Sequence, residues 1–231
     1  MLEPGSVISY TQMCLEEGTS LQRGMNYRHN RNYSVVLMSI RKGAPYMDRV
    51  EADGTVLIYE GHDIPHTVGG PEPKQVDQVS ATPLGTPTQN GRFFFAAHSF
   101  SAGKTPAERV RVYEKVKDGI WVYNGLFSLK DAWLEDGSAR KIFKFRLELL
   151  EGVKDSVGNE IQDLEHNRLI PATVKQEVWA RDKGKCVTCG SFTNLHYDHI
   201  IPFSKGGSSL LASNIQLMCA RHNLAKHDHI M

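Results

Sequence analysis

Four residues near the end of the chain carry metal-ligand spacing. Cys186 and Cys189 are two residues apart, and Cys219 and His222 repeat that interval about 30 residues later. Two such pairs make a tetrahedral Cys3His set, the ligand complement of a closed structural Zn2+ site. A short segment with few large apolar residues needs a staple of this kind. A second reading gives His222 to another metal and leaves zinc with three ligands. Between the pairs lies Asp198-His199. Adjacent residues on a strand point to opposite faces, so one can hold a metal while the other faces a substrate. Asn223 directly follows His222, is expected to open the last helical segment, and can return toward Asp198. Oxygen donors from Asp198 and Asn223, completed by water and phosphate, suit Mg2+ or Mn2+. A neutral His199 can take a proton from water. His196, His227 and His229 receive no role, although His196 lies near enough in sequence to be an auxiliary ligand.

The frame around these residues is ordinary. The chain has 231 residues, enough for one large or two small domains, and its 40% hydrophobic and 23% charged content is that of a globular protein. No apolar run approaches the roughly 18 residues of a membrane span. The N-terminus lacks the pattern of a secretory signal, so a cytoplasmic location is expected. There, clustered cysteines point to metal rather than disulfides, with Cys14 standing apart. Net charge is only +1, but residues 169–231 carry seven Lys/Arg against four Asp/Glu, and residues 151–168 two against five. Any nucleic-acid contact must therefore come from local basic patches.

Asp198-His199-Ile200-Ile201-Pro202, Ser204-Lys205-Gly206-Gly207, Asn214 and Cys219-x-x-His222-Asn223-x-x-Lys226 together resemble the HNH nuclease motif of the ββα-metal fold. The resemblance covers roughly residues 170–230. It implies that Asp198 and Asn223 hold the catalytic metal, that His199 is the general base, and that Asn214 holds the loop and orients that base. The fourth zinc position, often Cys in the family, is His222.

Upstream, the chain reads as strand-rich. Tyr33–Ile40, Thr55–Tyr59 after an Asp53-Gly54 turn, Phe93–Ala97 after Asn90-Gly91, Val110–Val116, Gly119–Tyr123 ending at Asn124-Gly125, and Lys141–Leu149 are short β-branched or aromatic runs between turn signals. They predict a curved β-sheet or barrel. Pro71–Pro87 reads as a loop, with a short helix possible over Gln75–Ala81. Pro171–Asp182 reads as a helix capped by Thr173. The expected class is α+β, with residues 1–150 as one domain, 151–168 as an acidic linker and 169–231 as a small zinc-stapled domain.

Tyr46 and Tyr59, with Asp48 nearby, suit a pocket for a flipped base: aromatic faces stack and a carboxylate accepts from an exocyclic amine. The segment Arg23–Arg31 reads as exposed, basic and aromatic, and the loops Arg28–Arg31 and Gly61–Gly70 are expected to approach the duplex grooves. The order Ser34-Val-Val-Leu37, Tyr46-x-Asp48, Tyr59-Glu60-Gly61, Asp77-Gln78, Val110-Arg-Val112, Tyr123-Asn124-Gly125 and Phe143–Leu147 resembles the SRA (YDG) domain. That family binds DNA carrying a modified cytosine and flips the base. The resemblance makes Tyr46 and Tyr59 the stacking residues and Asp48 the reader of the cytosine edge. Three positions depart from it: Ala44-Pro45 where Gly-Gly is usual, Glu60 where Thr is usual, and Asn124 in the signature triplet. Glu60 would change the pocket's size and polarity.

The sequence thus implies a modification-dependent endonuclease that acts on duplex DNA containing 5-methylcytosine or 5-hydroxymethylcytosine. One HNH site cuts one strand, so a homodimer is expected for double-strand cleavage. Two alternatives stand beside it: an HNH nuclease indifferent to modification, and a non-catalytic reader of modified DNA.

Overall fold

The computed structural model describes every residue except 1, 22–23, 30, 52–53, 138, 151–168, 203–204 and 227–231. The acidic linker, Arg23, Asp53, Ser204, His227 and His229 lie outside the described residues.

The N-terminal unit is built on one mixed sheet. Its strands are β1 (Val7–Ser9), β2 (Met25–Asn26), β3 (Ser34–Met38), β4 (Arg49–Glu51), β5 (Val56–Glu60), β6 (Arg109–Lys117), β7 (Ile120–Asp136) and β8 (Lys141–Leu149). The order is β2-β3-β6-β7-β8-β5-β4, with β1 paired to β7. Only β3–β6 among the described pairings of this sheet is parallel. Two helices accompany it, α1 (Tyr10–Glu17) and α2 (Gln89–Ser101). The main core gathers Val36, Leu57, Phe93, Val112, Phe127, Phe145 and Leu147 between α2 and the sheet.

The α+β class and most strands agree with the sequence reading. Phe93–Ala97 does not: it lies inside helix α2. Thr88 caps that helix, its hydroxyl accepting from Gly91 N at 3.1 Å. Phe93 and Ala97, four residues apart, are its inward face, and Phe93 packs edge-on against Tyr27 and Phe145. Asn90-Gly91 is the first turn of the helix rather than a hairpin. A Cβ on Gly91 would stand 1.9 Å from Ser80 O, so the close approach of backbone requires glycine. Over Gln75–Ala81 only Pro73–Gln75 forms a single 3-10 turn. The strand expected to stop at Asn124-Gly125 instead runs on to Asp136. Val112 pairs with Gly125 and Tyr113 with Tyr123, so Asn124 is the extra residue of a β-bulge, with Gly125 at φ +108°.

The C-terminal unit consists of α3 (Ala172–Arg181), the antiparallel pair β9 (Leu195–His199) and β10 (Ile215–Cys219), and α4 (Ala220–Lys226). Pro171, not Thr173, occupies the N-cap of α3, and no side chain caps it. The face of α3 carrying Val174 and Val178 packs with Tyr197, Ile215 and Leu217, and also with Val116 and Val122 of the large sheet. The two units therefore share a core. The N-terminal segment reinforces the contact: Gly5 donates to Tyr123 O at 2.8 Å and accepts from Tyr197 N at 3.0 Å.

A buried polar cluster sits at this joint. Lys175 Nζ donates to Glu114 Oε2 at 2.5 Å and to Asn124 Oδ1 at 2.7 Å, and Asn124 Nδ2 donates to the same Glu114 oxygen at 3.0 Å. An amide both accepts from the ammonium and donates to the carboxylate. An aspartate at 124 has no N–H to give and would set a second negative charge beside Glu114. The bulge that projects Asn124 and its identity as Asn are thus explained by one contact.

Candidate functional site

Cys186 and Cys189 lie on the turn after α3, closed by Gly190 N donating to Cys186 O at 2.8 Å. Cys219 ends β10, and His222 is in the first turn of α4. The four ligand atoms lie within 4.8 Å of one another. Two thiolates about 2.3 Å from one tetrahedral ion stand about 3.8 Å apart, and a thiolate and an imidazole nitrogen about 3.6 Å apart. Here Cys189 and Cys219 Sγ are 3.8 Å apart, and His222 Nδ1 is 3.6 Å from Cys186 Sγ and 3.2 Å from Cys219 Sγ. The four residues fit a tetrahedral ion, with His222 in the cluster. Burial pushes the Cys186 thiol up, but backbone N–H groups of Cys219, Cys189 and Thr188 outweigh it and bring the group to about 6. Thiolate, the form that binds metal, is thereby favoured.

On β9, Asp198 pairs across the hairpin with Gln216. Its Oδ2 accepts from Gln216 Nε2 at 3.1 Å and from Lys226 Nζ at 3.0 Å. Lys226 is almost fully buried and also donates to His199 O. Asn223 sits in the middle of α4 rather than at its start. It is three residues before Lys226 and so shares the helix face that reaches Asp198. Asp198 and Asn223 offer two hard oxygens, a donor set suited to Mg2+ or Mn2+. His199 Nε2 lies 2.8 Å from the buried Ser209 Oγ, which fixes the ring's orientation.

Asn214 clamps the loop that follows His199. Its Oδ1 accepts from Ile201 N at 2.8 Å, and its Nδ2 donates to Ile201 O at 3.0 Å and Ser208 O at 3.1 Å. A Cβ on Gly207 would stand 1.8 Å from Ile201 O, so the loop closes only with glycine there. His196 lies on the opposite face of β9 from His199's neighbour set, 3.3 Å from Ser6 Oγ, and burial lowers its pKa. Ser209 and Gln216 are supporting residues that spacing did not reveal, and Lys226 stood in the motif but without its contact to Asp198. Their contacts exist only once β9, β10 and α4 are assembled.

The second constellation lies where β3, β4 and β5 meet. Tyr46, on the loop before β4, stacks on His62 with ring centroids 5.8 Å apart and planes 18° from parallel. Lys74 Nζ is 4.1 Å from the Tyr46 centroid. Asp48 accepts from Ser39 N at 3.1 Å and Glu60 N at 3.0 Å. Burial pushes its carboxyl up to about 7 despite these bonds. Tyr59 is 1% exposed and part of the main core, its hydroxyl 3.4 Å from Leu37 O and 3.5 Å from His62 Nε2. Glu60 is buried, paired with Lys144 at 2.9 Å, and accepts from Met47 N at 3.0 Å. In the basic segment, Arg28 pairs with Glu108 at 2.6 Å and Arg31 donates to Glu17 O at 3.3 Å. No described helix is long and apolar enough to cross a membrane.

No curated protein matches the chain. Similar solved structures include the SRA domain of SUVH5 bound to fully methylated CG DNA (24% identity, 64% of this chain and 90% of that chain, TM-score 0.43). The same domain with methylated CHH DNA gives 22%, 68%, 94% and 0.46, and with fully hydroxymethylated CG DNA 24%, 68%, 95% and 0.45. Residues 186–229, which hold the Cys3His cluster, Asp198-His199 and Asn223, match the family model for HNH endonuclease, so this chain carries an HNH endonuclease domain at its C-terminal end.

Proposed function

We propose that this protein is a DNA endonuclease directed by modified cytosine. Residues 1–150 recognise the base, residues 151–168 link, and residues 169–231 hydrolyse a phosphodiester bond. The observation that carries the cleavage reading is the Asp198-His199 pair on a hairpin that the Cys3His cluster closes. The modification reading is supported by the motif order of the first 150 residues and by the buried Asp48 beside the Tyr46 slot.

Cys186, Cys189, Cys219 and His222 would hold Zn2+ for shape, and Asp198 with Asn223 would hold Mg2+ or Mn2+. Such an ion, when bound, stabilises the charge that builds on the leaving oxygen. His199, held by Ser209, accepts a proton from the attacking water at its imidazole. Lys226 and Gln216 occupy Asp198 Oδ2 and fix the carboxylate's direction. Asn214 and Gly207 keep the loop that places Ser209 against His199. Upstream, Tyr46 stacks on a flipped cytosine and Asp48 bonds its Watson–Crick edge. One such nuclease site serves one strand, so two copies acting together would make a double-strand break, in the cytoplasm where DNA is reached.

The test is digestion of matched plasmids carrying cytosine, 5-methylcytosine or 5-hydroxymethylcytosine, with Mg2+ or Mn2+ supplied. Modified DNA is cut and unmodified DNA spared. His199→Ala abolishes cleavage, by about 100-fold or more, while DNA binding persists. Equal cutting of all three plasmids would leave a nuclease indifferent to modification. Binding without any cutting by the unaltered protein would leave a reader only.

A further inference from the structure

The triplet Tyr123-Asn124-Gly125 lies at the joint between the large sheet and the nuclease hairpin, and the segment Glu3–Ser6 that leads into β1 holds both sides of that joint. Toward the sheet, Gly5 N donates to Tyr123 O at 2.8 Å, and Tyr123 N donates to Ser6 O at 3.0 Å. Toward the hairpin, Gly5 O accepts from Tyr197 N at 3.0 Å. Ser6 is buried and stands opposite His196 in an antiparallel bridge, its Oγ 3.3 Å from His196 Nδ1. The segment is thus a strand added to the edge of β9 away from β10, and the same residues continue into the pairing of β1 with β7. Gly5 is the hinge point. Its φ is +88°, and a Cβ there would stand 2.8 Å from Tyr197 O, so the approach to β9 requires glycine.

What the segment grips is the strand that carries Asp198 and His199. Successive residues of an antiparallel strand turn their backbone groups to alternate edges, so Tyr197 N faces Gly5 while its neighbours face β10. The Tyr197 side chain points the other way from Asp198, into the shared core, and its hydroxyl donates to Lys175 O at 2.8 Å. Lys175 Nζ in turn donates to Asn124 Oδ1 at 2.7 Å. Tyr197 is therefore tied to one bulge by two routes: its backbone through Gly5 to Tyr123, and its ring through Lys175 to Asn124.

We infer that Gly5 is a positioning residue for phosphodiester hydrolysis. By joining Tyr197 to Tyr123 it sets where Asp198 and His199 stand relative to the sheet that reads the base, and so how far from that base the cut falls. The inference rests on the endonuclease reading above and deepens it. A shift of about 1 Å at the reacting atoms is enough to cost up to about 100-fold in rate.

The experiment compares the full chain with Gly5→Val and with a variant lacking residues 2–6, each checked for folding by thermal melting and for zinc content. The substrate is a duplex with one central 5-methylcytosine. Affinity is read by anisotropy without Mg2+, the single-turnover rate at saturating protein with Mg2+, and the cut positions at nucleotide resolution. Both variants are expected to keep the parent's affinity within about twofold, to cut about tenfold more slowly, and to spread their cuts over more positions. A purely structural role would lower the folded fraction and leave the cut positions where they were. A folded variant with the parent's rate and cut positions would overturn the assignment. So would fast hydrogen exchange of the Tyr197 amide in the unaltered protein, a measurement by NMR that needs no variant, since protection like that of the β9–β10 ladder is expected there. An unaltered protein that cuts no duplex would overturn the endonuclease reading and this role together, whereas one that cuts and is matched by its variants would overturn this role alone.

Discussion

Asp48 sits where burial opposes its charge, and its carboxyl rises to about 7. An unfolded aspartate titrates near 4. Between those values the folded chain keeps a proton that the unfolded chain has released, so stability falls as pH rises from about 4 to about 7. At pH 6 the group is an acid with one O–H to give and lone pairs to receive. Cytosine's pairing edge offers the matching ring-nitrogen acceptor and amino donor. Above pH 8 a carboxylate faces that ring nitrogen. Affinity for a duplex whose modified cytosine is flipped against this acid is therefore expected to drop by about tenfold between pH 6 and 8.5, read by anisotropy at each pH. Asp48→Asn, whose amide gives and receives at any pH, should flatten both this profile and the stability slope. An unaltered protein whose affinity for the modified duplex holds constant across that interval would contradict the acid's role.

Among the elements, the β9–β10 pair and α4 have the least support of their own. A two-stranded hairpin is marginal in water, and a seven-residue helix is well below the length that persists alone. The Cys186–Cys189 turn, the end of β10 and the start of α4 all meet at the Cys3His cluster. About one Zn2+ per chain is expected in purified protein. Chelation or Cys189→Ser should loosen this corner, abolish cleavage and open it to proteolysis, while the large sheet with its own core stays resistant. Unchanged protection after chelation would refute the staple. Helix α2 teaches the complementary lesson. Its Phe93-Phe94-Phe95 run favours a strand locally, but Thr88 caps a helix and the i, i+4 pair Phe93 and Ala97 buries against the sheet. Tertiary packing decides between two patterns that a short apolar run leaves equal.

At the scale of the molecule, the nuclease unit is seated on the sheet through Lys175, Glu114 and Asn124 and through the core around Val116 and Val178. Among the described residues Glu114 Oε1 has no hydrogen-bond partner, so the carboxylate depends on the contacts to its other oxygen. Lys175→Met would strand that buried charge and is expected to cost about 3–5 kcal/mol, whereas adding Glu114→Leu should recover most of the loss. Urea denaturation of the single and double variants measures it. A single variant as stable as the parent would show that the cluster does not hold the joint. Cleavage ends mapped from the double variant should also scatter more widely than those of the parent, because the seat of the nuclease is less specified.

What the amino-acid order determined by itself was the chemistry that is local in sequence. Cys186-x-x-Cys189, Cys219-x-x-His222, Asp198-His199 and Asn223 are close along the chain, and ligand spacing on a turn or helix is set by backbone geometry alone. The alternation of β3, β5, β6 and β8 was readable for the same reason. What only the tertiary structure decided was every contact between distant segments. Ser209 on His199, Gln216 on Asp198, His62 facing Tyr46 and Lys175 against Glu114 each join residues from different elements. Such pairs have no period or motif, because they are chosen by how faces pack, and packing is a property of the folded whole.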